Sequence, residues 1–198
     1  MTARRKTNRK PASVKELLVE MRDVAMLAVD LAYATLVFKD RELADEVLRL
    51  EREIDSLIHD LQVKIMLTAR DTKDALALQP ILHAAVATDR ISNAAGDVIY
   101  PILRGAEPHP IILEGLRKLD EPIISVQVSP SSSLCKKGTD GRALRAKLGI
   151  DVLAVRRTNQ WIFGAENLDR IMPKDTIIAR GEDTGVQKFR EIAAVDKP

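Results

Sequence analysis

Over most of the first hundred residues, apolar side chains recur every three or four positions, which is the period of an amphipathic helix. The first such stretch covers residues 13–38. Its opening residues, Ser13 and Glu16, have the three-residue spacing of a capping box, which predicts that a helix begins there. Asp40 follows the stretch and can cap a second helix.

The second stretch, residues 41–69, has the most regular pattern in the chain. Its apolar positions step by four and three residues, as in one seam of a coiled coil, and charged residues fill the other faces. We therefore expect one long helix whose seam is buried along its whole length. The seam consists of Leu43, Val47, Leu50, Ile54, Leu57, Leu61 and Ile65.

A third helix is predicted over residues 72–103. Pro80 and Pro101 each remove an amide donor, so we expect a kink or a new helix start at both positions. Between the prolines lies an alanine-rich face, where small side chains allow a neighbouring helix to approach closely. Three long helices joined by short turns predict an antiparallel three-helix bundle.

After residue 104 the pattern changes to short apolar runs bounded by turn residues, which is typical of buried strands. Such runs occupy residues 122–128, 152–155, 161–163 and 176–179, with short helices between and after them. The predicted fold class is α+β with two domains: a three-helix bundle followed by a small α/β domain. The predicted divisions are a disordered basic tail (1–12), the bundle (13–104), a linker with a short helix (105–121) and the α/β domain (122–195).

The net charge of +2 conceals a basic N-terminus, because five cations lie within the first ten residues. A solvated, disordered arm explains this tail better than nucleic-acid binding does, since no aromatic residue accompanies the cations. Nucleic-acid binding by the arm is the more specific alternative. The single cysteine, Cys135, favours a reducing cytoplasm. Because the most apolar window has only fifteen residues and contains Asp30, we expect a soluble protein without membrane insertion.

Carboxylates on the helices are the candidate metal ligands. Residues four apart share one helix face, so such pairs can chelate a hard cation through oxygen. A buried carboxylate also needs a partner, and Asp30 interrupts the most apolar window. The alternative is that these side chains simply form the solvated face of charged helices. The candidate metal set is Asp30, Glu51, Asp55, Asp89, Asn93 and Asp97.

Cations and hydroxyls in the C-terminal part are candidates for binding a small anion. The polar loop around Ser131 lacks the spacing of a nucleotide-hydrolysing phosphate loop. The three histidines are scattered, and none stands at a metal-ligand spacing, so we predict no catalytic residues and a protein that is not an enzyme. The candidate ligand-binding set is Ser132, Ser133, Lys136, Lys137, Arg156 and Arg157.

Two segments of the C-terminal part resemble the TrkA C-terminal domain. Residues 138–157 resemble its G-K-T/S-L segment with the following G-x-x-V-L-A-I-R-R strand, and residues 173–181 resemble its P-x-x-D-x-x-x-x-x-G segment. The resemblance covers roughly residues 120–195. It differs at Lys174, where the family usually has glycine, so the turn there must accept a side chain. The family consists of cytosolic, non-catalytic modules that usually dimerise and bind small ligands.

The helical part is similar to one three-helix repeat of the PhoU family of phosphate-uptake regulators. Residues 42–55 resemble the second helix of that repeat. Residues 89–95 resemble its metal-binding E/D-x-x-x-D segment, with Asn93 in place of the second acid. A full PhoU protein has two such repeats, so a single repeat implies dimerisation through the helices. The combination of these two domains is associated with archaeal proteins.

Together, the two resemblances imply a cytoplasmic, non-enzymatic regulator of potassium or other cation transport. It would dimerise through the helices and sense a small anionic ligand or nucleotide through its C-terminal domain. Its partner would be a subunit of a potassium or other cation transporter or channel. The alternative is a protein that binds a divalent metal through the acidic residues of the bundle, like a phosphate-uptake regulator.

Overall fold

The computed structural model describes residues 13–135, 140–165 and 168–194, without the side chain of Arg117. The predicted N-terminal tail and two candidate ligand-binding residues, Lys136 and Lys137, lie outside the described residues. The described residues form two compact units. The helical unit comprises the residues up to Ala32 together with Ala44–Tyr100, and the second unit comprises Tyr33–Leu43 and the residues from Pro101 onward.

Three long helices begin and end close to their predicted limits: α1 (Val14–Phe38), α2 (Arg41–Thr68) and α3 (Thr72–Leu103). The predicted capping box is present, because the Ser13 amide donates to Glu16 Oε2 at 2.6 Å and the Glu16 amide donates to Ser13 Oγ at 3.1 Å. Asp40 Oδ1 caps α2 by accepting the amide of Glu42 at 2.8 Å. Local side-chain chemistry therefore fixes where α1 and α2 begin.

The predicted seam of α2 is buried along its whole length, from Leu43 at 0% exposure to Ile65 at 9%. Within the helical unit it packs against apolar residues of α1 and α3, among them Met21 and Ala85. The expected new helix starts do not occur, since α3 is one continuous helix through both of its internal prolines. Among the described residues, no helix is long and apolar enough to cross a bilayer.

The second unit contains a four-stranded antiparallel sheet with strand order β1-β4-β2-β3. The predicted α+β architecture is therefore confirmed. A short helix precedes the sheet, a 3-10 turn follows β1, and one helix stands on each side of the β2–β4 segment in sequence. The elements are α4 (Pro110–Arg117), β1 (Ile123–Gln127), the 3-10 turn (Ser133–Cys135), α5 (Gly141–Leu148), β2 (Asp151–Arg157), β3 (Gln160–Phe163), β4 (Thr176–Arg180) and α6 (Asp183–Ala193).

One face of this sheet forms a hydrophobic core with α5, α6 and the 3-10 turn, and Phe189 and Ile177 are completely buried in it. Two glycines shape the ends and contacts of these helices. Gly149 ends α5 in the left-handed conformation, with φ of 66°. Gly185 of α6 lies so close to α5 that a Cβ atom at this position would stand 2.2 Å from the carbonyl oxygen of Leu148.

Candidate functional site

A group of carboxylates lies where α2 and α3 run side by side in the helical unit. Glu51 occupies the space beside Gly96, since a Cβ atom added to that glycine would stand 2.8 Å from Glu51 Oε2. Burial raises the pKa of the Glu51 carboxyl, and the negative charges of Asp55 and Asp97 raise it further, with a smaller contribution from Asp89. Three of the predicted metal ligands therefore act electrostatically on a fourth, Glu51.

These carboxylates do not form a metal-binding set in this arrangement. In the part of the chain that the structure describes, no three His, Cys, Asp or Glu side chains come together as a metal ion requires. Asn93 contributes an amide whose Nδ2 donates to Asp89 Oδ2 at 3.4 Å. A donor amide thus stands at the position that an acid would need to occupy for the E/D-x-x-x-D pattern.

Asp30 does not belong to the solvated face that charged helices usually present. Asp30 lies on α1, is 8% exposed and takes part in an interaction with another residue. Its place in the most apolar window of the sequence therefore corresponds to a buried carboxylate.

The polar loop after β1 uses its buried hydroxyl for the fold. Ser132 is 4% exposed. Its Oγ donates to the carbonyl of Ile192 at 2.6 Å and accepts the amide of Leu134 at 3.1 Å, which ties the loop to α6. Ser133 is exposed and begins the 3-10 turn. The structure therefore separates the two candidate serines, leaving only Ser133 open to solvent.

Arg157 is committed to an ion pair with Asp175, which is 1% exposed. The guanidinium Nε and Nη2 donate to the two carboxylate oxygens at 3.0 and 2.8 Å, and Nη2 also donates to the carbonyl of Arg170 at 2.8 Å. Hydrogen bonding to Asp175 raises the pKa of Arg157, although burial lowers it. A bidentate pair of this kind fixes geometry strongly. It leaves little of this guanidinium for a ligand.

The neighbouring Arg156 has a different environment. Its register partner on β3 is Trp161, and its guanidinium carbon lies 5.6 Å from the centroid of the indole ring. The Trp161 and Phe163 rings, two residues apart on the same face of β3, stack with centroids 6.0 Å apart. The Arg156 side chain is 40% exposed, and its Nη1 stands 4.0 Å from Asp40 Oδ2 within the same unit. This cation–aromatic face, defined by Arg156, Trp161 and Phe163, combines a partly exposed positive charge with flat apolar surfaces.

Sequence reasoning identified Arg156 but missed the two aromatic residues. The signal was present, because the two residues between Arg157 and Gln160 predict a tight hairpin, and such a hairpin sets Arg156 opposite Trp161. In contrast, the pairing of Arg157 with Asp175 joins residues that are eighteen positions apart. No local pattern indicates that contact.

Cys135 has the character of an unreactive thiol. It is half-buried, and its Sγ donates weakly to the carbonyl of Ser129 at 3.8 Å. Burial raises the pKa of the Cys135 thiol, and the charge of Asp175 adds to this effect. A thiol with a raised pKa carries little of the nucleophilic thiolate at neutral pH.

Comparison with known protein families finds a similarity in the helical part. Residues 18–100 match the family model of the PhoU domain, and this match covers nearly the whole of the three long helices. The match suggests a regulatory role in phosphate or ion homeostasis. No TrkA C-terminal domain model matches the second unit. No curated protein sequence matches the chain.

Proposed function

We propose that this protein is a cytoplasmic, non-enzymatic regulator that senses a small anionic ligand and works as a homodimer. Its output would be the activity of a potassium or other cation transporter. The observation that carries this proposal is the PhoU-domain match over residues 18–100, which supplies the regulatory class. The second unit supports the sensing role through its resemblance to TrkA C-terminal domains and through its cation–aromatic face.

The ligand surface of the proposal is the cation–aromatic face. Of the two adjacent arginines, Arg157 is held by Asp175, whereas Arg156 remains partly exposed beside an indole ring. A guanidinium next to stacked aromatic rings suits a flat anionic molecule such as a nucleotide, which offers phosphate charge and a stackable base. Ligand binding can regulate the protein only if it favours one of two arrangements of the dimer.

A thermal-shift panel on the full chain tests the sensing role. The probes are inorganic phosphate, mononucleotides, cyclic dinucleotides, K⁺ and Na⁺. We expect one anionic class to raise the unfolding midpoint, and we expect Arg156→Ala to weaken its binding at least tenfold. Arg190→Ala removes an exposed arginine from α6 as a matched control and should leave binding unchanged. Absence of any shift, or equal binding by both variants, would contradict the proposed site.

A second candidate function, cation binding by the helical unit, is favoured by one observation. The negative charges of Asp55 and Asp97 contribute to the raised pKa of Glu51, so an added cation would relieve their repulsion. Because no three of these groups converge, we expect weak electrostatic binding without selectivity among Mg²⁺, Mn²⁺ and Fe²⁺. If elemental analysis detects a stoichiometric transition metal that is retained through purification, cation binding becomes the favoured function and anion sensing the second candidate.

A further inference from the structure

The helix α3 carries two apolar stripes, and only one of them is used within the helical unit. The inner stripe contains the buried residues Ala85, Ser92, Ala95 and Ile99. The second stripe, called here the outer seam, alternates steps of three and four residues over more than twenty positions. It consists of Ala77, Pro80, Ala84, Ala87, Ile91, Ala94 and Val98.

Every residue of the outer seam is apolar, and nearly all of them face solvent. Six of the seven are exposed, including Ile91 at 51%, and only Val98 is half-buried. Alternating three- and four-residue steps are the pattern by which a helix packs lengthwise against another helix. The small side chains allow the partner helix to approach closely. The outer seam therefore has the spacing of a helix–helix interface that the monomer leaves uncovered.

The charges beside the outer seam indicate what covers it. Arg90 and Asp97 lie seven residues apart on the same edge of the seam, and both are exposed. In a parallel pair of α3 helices this edge would face the opposite edge of the partner, where Ala95 is buried in its own helical unit and Thr88 carries no charge. In an antiparallel pair the edge meets its own copy, so cations and anions can be matched. A second copy of this chain, running antiparallel, is the occupant with complementary charge.

We propose that two copies of the protein associate through the outer seam, with their α3 helices antiparallel about a two-fold axis. In one register of this dimer, Arg90 of each copy lies opposite Asp97 of the other copy, so the two-fold symmetry produces this pair twice. In the same register Ile91 packs against Ala94 of the second copy, and Ala87 packs against Val98. This inference rests on the homodimer of the proposed function and identifies its surface.

The size of the contact limits its strength. The overlapping length is about 25 Å at 1.5 Å per residue, and a helix is about 10 Å wide. The product, about 250 Å² of projected surface on each copy, is well below the ~800 Å² per partner of a standard stable interface. We therefore expect a dissociation constant in the micromolar range and a dimer whose population depends on concentration.

Sedimentation equilibrium of the full chain between about 5 and 500 μM tests the surface. Arg90→Glu brings two acids together twice, and Asp97→Arg brings two cations together twice, so each variant alone should dimerise at least tenfold more weakly than the wild type. An equimolar mixture of the two variants restores one wild-type pair and one reversed pair in a heterodimer, so dimerisation should return in the mixture. Lys15→Glu changes an exposed cation on α1 and serves as the matched control.

Ala87→Glu places a charge in the centre of the outer seam and should abolish the dimer without changing helix content, because the position is exposed. If the wild type dimerises and neither Ala87→Glu nor the charge reversals weaken it, the outer seam is not the interface, although the homodimer stands. If the wild type remains a monomer at 500 μM, both the outer seam and the proposed homodimer are contradicted. If the two charge-reversal variants dimerise when mixed but not separately, the antiparallel arrangement is supported specifically.

Discussion

The two units of this protein are specified in different ways. In the helical unit a repeated spacing of apolar residues sets the packing, so each buried side chain of α2 is one of many equivalent positions. In the second unit single residues make contacts that no neighbour can replace, such as the close approach of Gly185 to α5 and the pairing of Asp175 with Arg157. The helical unit should consequently tolerate substitutions that the second unit does not.

The same substitution at two glycines gives the strongest test of this difference. In Gly185→Ala the new Cβ would lie 2.2 Å from the Leu148 carbonyl oxygen, so backbone must move. We expect a loss of about 3 kcal/mol, which lowers the unfolding midpoint by about 6–12 °C. Fluorescence of Trp161, the only tryptophan, reports this transition in the second unit.

Gly96→Ala is the partner experiment in the helical unit. There the added Cβ would lie 2.8 Å from Glu51 Oε2, which is the end of a flexible side chain and can rotate away. Alanine also favours a helix over glycine by about 0.8–1 kcal/mol, so circular dichroism should show an unchanged or slightly higher midpoint. Equal losses in the two variants would remove the contrast between the units.

Asp175→Ala should have the next largest effect. The substitution leaves the partly buried Arg157 and the amide of Met172 without their carboxylate partner. We expect the free energy of unfolding to fall by about 2 kcal/mol, less than for a fully buried pair because Arg157 is partly exposed. Glu191→Ala, an exposed acid on α6, is the control and should change stability by less than about 0.5 kcal/mol in urea titrations.

Lys174 provides a prediction of the opposite sign. It adopts a left-handed conformation with φ of 69°, at the position where TrkA C-terminal domains usually have glycine. Lys174→Gly should therefore stabilise the protein by about 0.5–1 kcal/mol in urea titrations, because glycine adopts this conformation without steric cost. Lys147→Gly, in the helix α5, should instead destabilise by about 1 kcal/mol. A loss in both variants would show that the Lys174 side chain contributes more than its backbone costs.

The smallest predicted effect concerns the carboxylates of the helical unit. Because burial and neighbouring acids raise the pKa of Glu51, its ionised form destabilises the folded state, and the penalty grows as pH rises from the ordinary glutamate pKa through the raised one. Glu51→Gln should raise the midpoint at pH 7 by about 1–2 °C, since one like-charge pair costs about 0.5 kcal/mol. The gain should vanish at acidic pH, where Glu51 is protonated.

Glu53→Gln is the control for that measurement, because Glu53 pairs with Arg49 at 2.8 Å. Loss of this ion pair in Glu53→Gln should lower the unfolding midpoint slightly at pH 7. Differential scanning calorimetry at both pH values compares the two variants. A gain in Glu51→Gln that persists at acidic pH would show that a cause other than ionisation is responsible.

The difference between the units also explains what the sequence could predict. Helix limits, the Ser13 and Asp40 caps and the α2 seam follow from local spacing, and the structure confirms them. The strands were predictable as apolar runs, but the order β1-β4-β2-β3 depends on pairings between distant segments. The ion pair between Arg157 and Asp175 could not be predicted for the same reason. The exposed stripe of α3 was visible as an alanine-rich face, and only the structure shows that the monomer leaves much of it uncovered.

The central claim, a dimer that holds a small anionic ligand, is tested most directly by native mass spectrometry of freshly purified full-length protein. The claim predicts a species with the mass of two chains at high protein concentration, carrying additional mass from a retained anion. That additional mass should disappear in Arg156→Ala. A single-chain mass at every concentration, or a dimer whose bound ligand is unaffected by Arg156→Ala, would contradict the claim.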